Sequence, residues 1–467
     1  MNSNSRKHTM CDSIPAFFLE TQIKMTIVRR FWLLLLALSL IMPAAAQDWI
    51  KTGTGLGVDK VRLAAADFKA STQDSKNTDL VKTFNDTLWN DLSNAGIFDM
   101  VSKSFYPLGA IGAPADIKFE GWSAPPPNAA MLAFGNMGAS GNNITVQGWL
   151  YDVKNVTSPQ VLGKQYQDAA TTEAARTIAH KFADEIIFRL GGGINGIAET
   201  KLYFVSSRGG HKEIWGMDYD AFNQHELTHL GSISLSPRIS PDGSRLAFSS
   251  MTKSGWEILM YSTELNRVVS FPKYSGTNLS PAWSADGTKL ALSSSRSGNP
   301  EIFVADASGA NLKRATSDPG PDVSPVWNPK TGSQIAWVSG RSGLPQIYTM
   351  ESDGTNVQRI TDQGYAVSPA WSPNGQFLAF SWVRHYGPGA PGAADIYLMD
   401  IASKQWVQLT HDGGRNDFPS WSPDGRHIVF QSSRSGTEQI WTMLADGAEQ
   451  KQLTFTGKNS QPNWSWK

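Results

Sequence analysis

The sequence predicts an all-β six-bladed β-propeller, preceded by a small α+β domain and an N-terminal signal peptide. Three observations carry this. A short phrase recurs six times with its prolines at 237, 281, 325, 369, 419 and 462, so the first three gaps are 44 residues and the last two are 50 and 43. Units of this length that stack on one another are propeller blades. Before residue 191 the phrase is absent and helical spacing takes over. Near the start, an apolar run follows two arginines.

In chain order, residues 1–24 have no signal character and precede a second methionine, which makes Met25 the expected initiator. Arg29 and Arg30 form a charged segment, residues 31–42 are almost wholly apolar, and Ala44-Ala45-Ala46 offers a cleavage site before Gln47. The apolar run is too short to span a bilayer, and Gln47 in place of a cysteine offers no lipid attachment. The expectation is a periplasmic protein exported by cleavage after Ala46, with no direct membrane span. The single cysteine, Cys11, lies upstream of that site. The mature chain then has no thiol for disulfides, nucleophilic chemistry or metal binding. With 41 basic and 41 acidic side chains the chain is neutral, so no global field favours nucleic acid.

Residues 47–58 predict a flexible N-terminal arm. Gly53, Gly55 and Gly57 alternate and match no phosphate-binding fingerprint. The arm is either an unstructured tail or a partner-binding element in which Asp48, Trp49 and Ile50 make contact. Residues 59–190 read as an α+β domain. A strand is expected over 61–68 and others over 117–121, 144–150 and 161–166. A helix over 79–95 places Val81, Phe84, Leu88 and Leu92 on one face and stops at Gly96; a second over 172–190 aligns Ile178, Phe182, Ile186 and Leu190. Two such helices cover one face of a small mixed sheet. Residues 191–200 are glycine-rich and predict a flexible linker.

Residues 201–467 form the propeller. Ser280-Pro281-Ala282-Trp283-Ser284-Ala285-Asp286-Gly287 is one copy of the phrase. It reads as a first strand followed by a tight turn, because Asp-Gly accepts positive φ. Leu290-Ala291-Leu292 marks a second strand, Glu301-Ile302-Phe303 a third, and runs such as Ile360-Thr361 or Leu409-Thr410 end a fourth. The repeat opens with the second and third strands of a blade, Lys201-Leu202-Tyr203-Phe204 and Glu213-Ile214-Trp215, and closes with a lone first strand, Pro462-Asn463-Trp464. Joining the two ends gives six closed blades and no spare edge. The tryptophans at 283, 327, 371, 421 and 464 are expected in the core between blades, and Asp242, Asp286 and Asp424 in turns.

The order signal peptide, α+β domain and propeller resembles the TolB family of the Tol–Pal system. So does Arg176-Thr177-Ile178-Ala179-His180-Lys181-Phe182-Ala183-Asp184-Glu185-Ile186, which is similar to the family's helix leading into the propeller. The phrase alone also recurs in propellers of prolyl-oligopeptidase-like peptidases. The resemblance implies a non-enzymatic periplasmic scaffold without cofactors. It implies a propeller that binds a Pal-type peptidoglycan-associated lipoprotein, and an α+β domain and N-terminal arm that engage a TolA-type inner-membrane protein. It further implies a role in outer-membrane integrity and cell division.

One face of the propeller gathers the loops between second and third strands and the loops leading into each blade. The first set carries Arg208, Arg296, Arg341 and Arg434; the second carries Tyr274, Asn278, Asp322, Tyr365, Asp417 and Ser460. The resemblance places Pal docking on this face, and arginine and tyrosine suit an interface. The competing role for the repeated Arg-Ser-Gly is loop formation, each arginine pairing with its neighbouring blade. In the fourth blade a longer loop with His385 and Tyr386 replaces the short one, as a neutral insertion or a partner contact.

Three other functions fit the sequence less well. A propeller-bearing peptidase needs Gly-x-Ser-x-Gly, and Gly138-Ala139-Ser140-Gly141-Asn142 departs from it at the last position. A metal-dependent hydrolase could use His225 and His229, but a strand separates them by roughly 13 Å. A propeller binding a glycan or another envelope ligand would present the same face.

Overall fold

The computed structural model describes residues 59–71, 75–383, 392–411 and 413–467. The expected signal peptide, Asp48, Trp49 and Ile50 of the arm, and His385 and Tyr386 lie outside the described residues. Among the described residues no helix is long and apolar enough to cross a membrane.

Residues 201–467 build six four-stranded antiparallel sheets. The first blade runs Ser234–Ile239, Arg245–Thr252, Gly255–Ser262 and Arg267–Val269, and four more repeat it. The sixth takes its first strand, Asn459–Trp464, from the far end of the repeat. That strand pairs antiparallel with Lys201–Ser206, Trp464 opposite Leu202. The ring closes as the two incomplete ends predict.

Every first strand is interrupted at its proline. The register slips there in all six blades. The residue before the proline takes positive φ: 54° at Ser236, 53° at Ser280, 54° at Ser324, 53° at Ser368, 54° at Phe418 and 52° at Gln461. This is a β-bulge. Proline has no N–H, so seating it where the ladder is broken forfeits no hydrogen bond. The turn that follows is closed by side chains. The Ser240 hydroxyl donates to Asp242 at 2.5 Å, and the Arg245 N–H donates to Ser240 at 3.0 Å. That serine bond is the main reason the Asp242 carboxyl is held down at about 2. Ser284 with Asp286 and Ser422 with Asp424 repeat the device.

The blades meet through the tryptophans. Trp283 is packed with Ala247, Ile258 and Met260 of the preceding blade, and Trp327, Trp371 and Trp464 hold similar positions. The indole N–H donates to a carbonyl of the preceding first strand in three cases: Trp283 to Arg238 at 2.9 Å, Trp327 to Ala282 and Trp421 to Ala370 at 3.1 Å. A threonine latches the rim of each blade except the first. Thr228, Thr316, Thr361, Thr410 and Thr454 accept from the N–H of Ile214, Ile302, Ile347, Ile396 and Ile440, each at 2.9 Å. Four of them donate to the acid or amide just before that isoleucine.

The α+β domain contains strands β1 (Val61–Ala65), β2 (Lys69–Ala70), β3 (Phe98–Met100), β4 (Met131–Ser140), β5 (Asn143–Asp152) and β6 (Gln160–Ala169). Its helices are α1 (Ser75–Asn94), α2 (Phe119–Ser123) and α3 (Thr172–Leu190). The sheet order is β3-β1-β4-β5-β6, parallel about β1 and antiparallel beyond β4. Helices α1 and α3 share one face, where Phe84, Leu88, Ile178 and Phe182 bury against Leu63 and Val146. Helix α3 opens on Thr171, whose hydroxyl oxygen accepts the Ala174 N–H at 3.1 Å, a standard N-cap.

The strand expected over 117–121 is not formed. The Asp116 carboxylate accepts the Gly112 and Ala113 N–H groups at 2.9 and 3.0 Å and turns the chain. Helix α2 then buries Trp122 on the sheet's second face with Ile111 and Phe134. The central strand β4 carries no two-residue alternation because both its faces are covered. Its Gly135 is required by close approach, since a Cβ there would sit 2.1 Å from the Gln147 carbonyl oxygen. The 191–200 segment, expected to be flexible, is exposed at Gly192 and Gly193 but packed in its second half. A Cβ at Gly196 would lie 1.9 Å from Asp184 Oδ1, and Ile197 and Ala198 are buried in the last blade.

This segment is one part of a seam between the two domains. Tyr219 donates to Asp91 at 2.5 Å, and His180 Nδ1 lies 2.7 Å from the other oxygen of that carboxylate. Arg176 donates to Asp220 at 2.6 Å and lies over the Phe222 ring at 3.9 Å. His427 Nε2 is 2.7 Å from the Asn94 carbonyl, and Arg426 donates to that of Gly191 at 3.0 Å. The propeller residues involved all lie in or beside turns after first or third strands of the fifth and sixth blades. The α+β domain is therefore seated on the turn side of the ring.

Two predictions follow from closure and the seam. Trp464→Ala should destabilise the protein by about 3–5 kcal/mol, read from urea unfolding, because it opens the closing blade. Burial pushes the Asp184 carboxyl up to about 7. A carboxyl raised this way contributes stability that is complete below its unfolded value near 3.8 and is lost as pH rises through about 7. The melting temperature should fall over that interval, and less steeply in Asp184→Asn.

Candidate docking face of the propeller

With the α+β domain on the turn side, the opposite face is left to the second-to-third-strand loops and the loops leading into each blade. Its arginines repeat one arrangement. Each lies over an aromatic ring of its own blade's third strand: Arg208 is 4.9 Å from the Trp215 centroid, Arg296 5.8 Å from Phe303, Arg341 5.0 Å from Tyr348 and Arg434 4.8 Å from Trp441. Arginine stacked on an aromatic ring is attracted by the ring's quadrupole. The ring follows the arginine by seven residues each time, a spacing visible in the sequence.

The acceptors separate these four. Arg208 Nε donates to the Thr456 carbonyl at 3.0 Å, Arg341 Nη2 to Asp322 at 2.9 Å, and Arg434 Nη2 to Asn416 at 2.9 Å. Thr456, and Asp318 at 4.0 Å from Arg341 Nε, lie in loops that arrive from the preceding blade. Asp322 and Asn416 belong to the arginine's own blade and not to the neighbouring blade as expected. The reason is local: the loop curls back over the start of its own first strand. Arg296 is exposed and has no carboxylate partner among the described residues.

Several residues expected to meet a partner are committed to the fold. Asn278, Asp322 and Asp417 are 0, 0 and 1 % exposed. Asn278 Nδ2 donates to the Tyr274 and Gly276 carbonyls, both at 3.1 Å, and its oxygen accepts the Ser294 hydroxyl at 2.6 Å. Asp417 accepts the Ser368 and Ser381 hydroxyls at 2.7 Å each, and Arg415 at 2.7 Å. Asn278 tethers the loop before it, and Asp322 and Asp417 anchor Arg341 and Arg415. Tyr274 is half-buried, and its hydroxyl donates to the Gly309 carbonyl at 2.5 Å. Tyr365 is half-buried opposite Val383, and Ser460 pairs opposite Val205. The face thus offers several exposed cations, Arg296, Lys212, Lys253, Lys273 and Lys458 among them, within a framework of stacked guanidinium groups and ring edges.

Among the described residues no three His, Cys, Asp or Glu side chains cluster as metal ligands would. His229 faces the Glu226 carboxylate at 3.3 Å, whereas His225 Nδ1 lies 2.6 Å from the Asn223 carbonyl, so the two rings serve different partners.

Comparison with known proteins agrees with this architecture. The family model described as the TolB beta propeller domain matches residues 189–385 and 361–467, and that of the TolB amino-terminal domain matches 54–158. The Tol-Pal system protein TolB of Cereibacter sphaeroides is 32 % identical over 236 residues, 48 % of this chain and 51 % of that relative. The protein TolB homolog of Chlorobium chlorochromatii is 36 % identical over 200 residues, covering 43 % and 44 %. The chain spans about half the length of the curated relatives it matches. Among solved structures, TolB from Acinetobacter baumannii superposes with a TM-score of 0.73 at 23 % identity, covering 87 % of this chain and 97 % of its own. That likeness shows the fold.

The two classes of arginine should separate on substitution. Arg341→Ala strands the Asp322 carboxylate and is expected to destabilise the protein by roughly 3 kcal/mol. Arg296→Ala should stay within about 0.5 kcal/mol of the parent. Urea unfolding of both variants checks the contrast.

Proposed function

This chain belongs to the TolB family, and on that premise we propose that it is a non-enzymatic scaffold of a Tol–Pal system in the periplasm. In this reading the propeller binds a Pal-type peptidoglycan-associated lipoprotein through the face opposite the α+β domain. The α+β domain and the arm at 47–58 bind a TolA-type inner-membrane protein. Held at both ends, the scaffold supports outer-membrane integrity and envelope constriction at division.

One observation carries the proposal: among the described residues the seam occupies only the turn side of the ring, beneath the fifth and sixth blades. A scaffold that links two partners needs two surfaces that do not compete, and this seating leaves the loop face open. Arg296 is an exposed cation on that face, stacked on Phe303 in a setting that favours interface residues.

The test is calorimetric titration of the exported protein with the periplasmic domain of the same organism's Pal. Saturable binding is expected. Arg296→Ala should weaken it about tenfold, the effect of losing one hot-spot side chain, while Lys330→Ala on the turn side leaves it unchanged. No heat of binding with folded protein would sink the reading. Retention on purified peptidoglycan free of Pal would redirect it to a glycan ligand.

A further inference from the structure

The six first strands enclose a channel, and its wall is uniform except at one position. The residue after each proline is Ala282, Val326, Ala370, Ser420 and Asn463 in five blades and Arg238 in the first. Two cavities meet at this level. The one nearer the bulges, about 40 Å³, includes Ser280, Ser324 and Pro325 in its wall; the other, about 110 Å³, includes the indoles of Trp327, Trp371 and Trp421. Arg238 lines both, and neither wall contains a carboxylate.

A guanidinium so placed has little to satisfy it. Arg238 Nη1 donates to the Pro237 carbonyl at 2.8 Å, and no other hydrogen bond or ion pair of its side chain is formed among the described residues. Burial alone pulls its pKa down to about 10, still far above neutrality, so the group is charged. The side chain is part-buried, so an anion entering the channel can reach it and supply the counter-charge it lacks. The nearby donors also lack an internal acceptor: the hydroxyls of Ser280 and Ser324 make no hydrogen bond among the described residues. By contrast, the indole N–H groups of Trp283, Trp327 and Trp421 are taken up by carbonyls. A charged fork, free hydroxyls and apolar walls match a planar or tetrahedral oxyanion, which a guanidinium can hold through two parallel bonds.

We propose that Arg238 makes the propeller channel a binding site for one small oxyanion, a free carboxylate or inorganic phosphate. This site is separate from the loop face on which a protein partner would dock, and it does not depend on which partner that is.

The test uses the tryptophans on the channel wall as reporters. The protein is titrated with sodium acetate, and separately with sodium phosphate, at constant ionic strength set by sodium chloride. A saturable change in tryptophan fluorescence is expected with at least one of the two, with a rise in melting temperature that chloride does not produce. The anion that gives it identifies the source. Arg238→Ala should weaken that response at least tenfold, and Arg238→Lys, which keeps the charge but not the fork, should weaken it less. Should Arg238→Ala fold poorly, Arg238→Gln reads the same loss. An equal response in parent and variants, or none in the parent with either anion, overturns the site.

Discussion

The ring stands or falls on one pairing, that of Asn459–Trp464 with Lys201–Ser206. Without it the last blade has three strands and loses the one that packs on the fifth blade. With it, each blade lies between two others and every first strand faces the axis. The bulges before the prolines, whose φ values of 52° to 54° reflect one local geometry repeated six times, then fall around the channel. The position of each loop follows from closure.

The two sides of the ring use charge in different ways. On the turn side, ionisable groups are buried against one another: Asp91 receives Tyr219 and His180, and Arg176 meets Asp220. Burial raises Asp91, while His180, which burial alone would lower, is raised by its bond to Asp91. Such a cluster is strong only when complete, because each member desolvates the rest. On the loop side the arginines lie along ring faces near water; removing Arg296 exposes an aromatic edge and little else, whereas removing Arg341 also strands Asp322. The first side is buried against the α+β domain, and the second is left open among the described residues.

Much of this is legible in the sequence, for identifiable reasons. Blade number and closure are carried by a repeat whose punctuation is chemical: proline, tryptophan and Asp-Gly each have one physical role. The two long helices show through their apolar stripes. Strand β4 does not, because a strand covered on both faces has no alternation to display, and its glycines resemble a loop. The segment at 117–121 misleads in the opposite sense, since Ile117, Phe119 and Gly121 alternate while Asp116 turns the chain. At the candidate site, residue type located the face but not the role of each member. Asn278, Asp322 and Asp417 lie where a partner-facing residue would lie, and only burial and hydrogen bonds show them to be tethers. Arg238 escaped notice because it sits inside the phrase itself, where the repeat invites reading over it.

Closure by the last strand also bears on how the molecule is made. The strand at 459–464 is synthesised after every element it completes, and its partner at 201–206 is among the first propeller segments to leave the ribosome. During that interval the early strand has an open edge, and the pairing that protects it spans almost the whole propeller. Contacts so distant in sequence form slowly, and exposed edges in the meantime recruit other chains. Assembly of this ring is therefore a single late event, and the half-made chain is the form most in need of a chaperone.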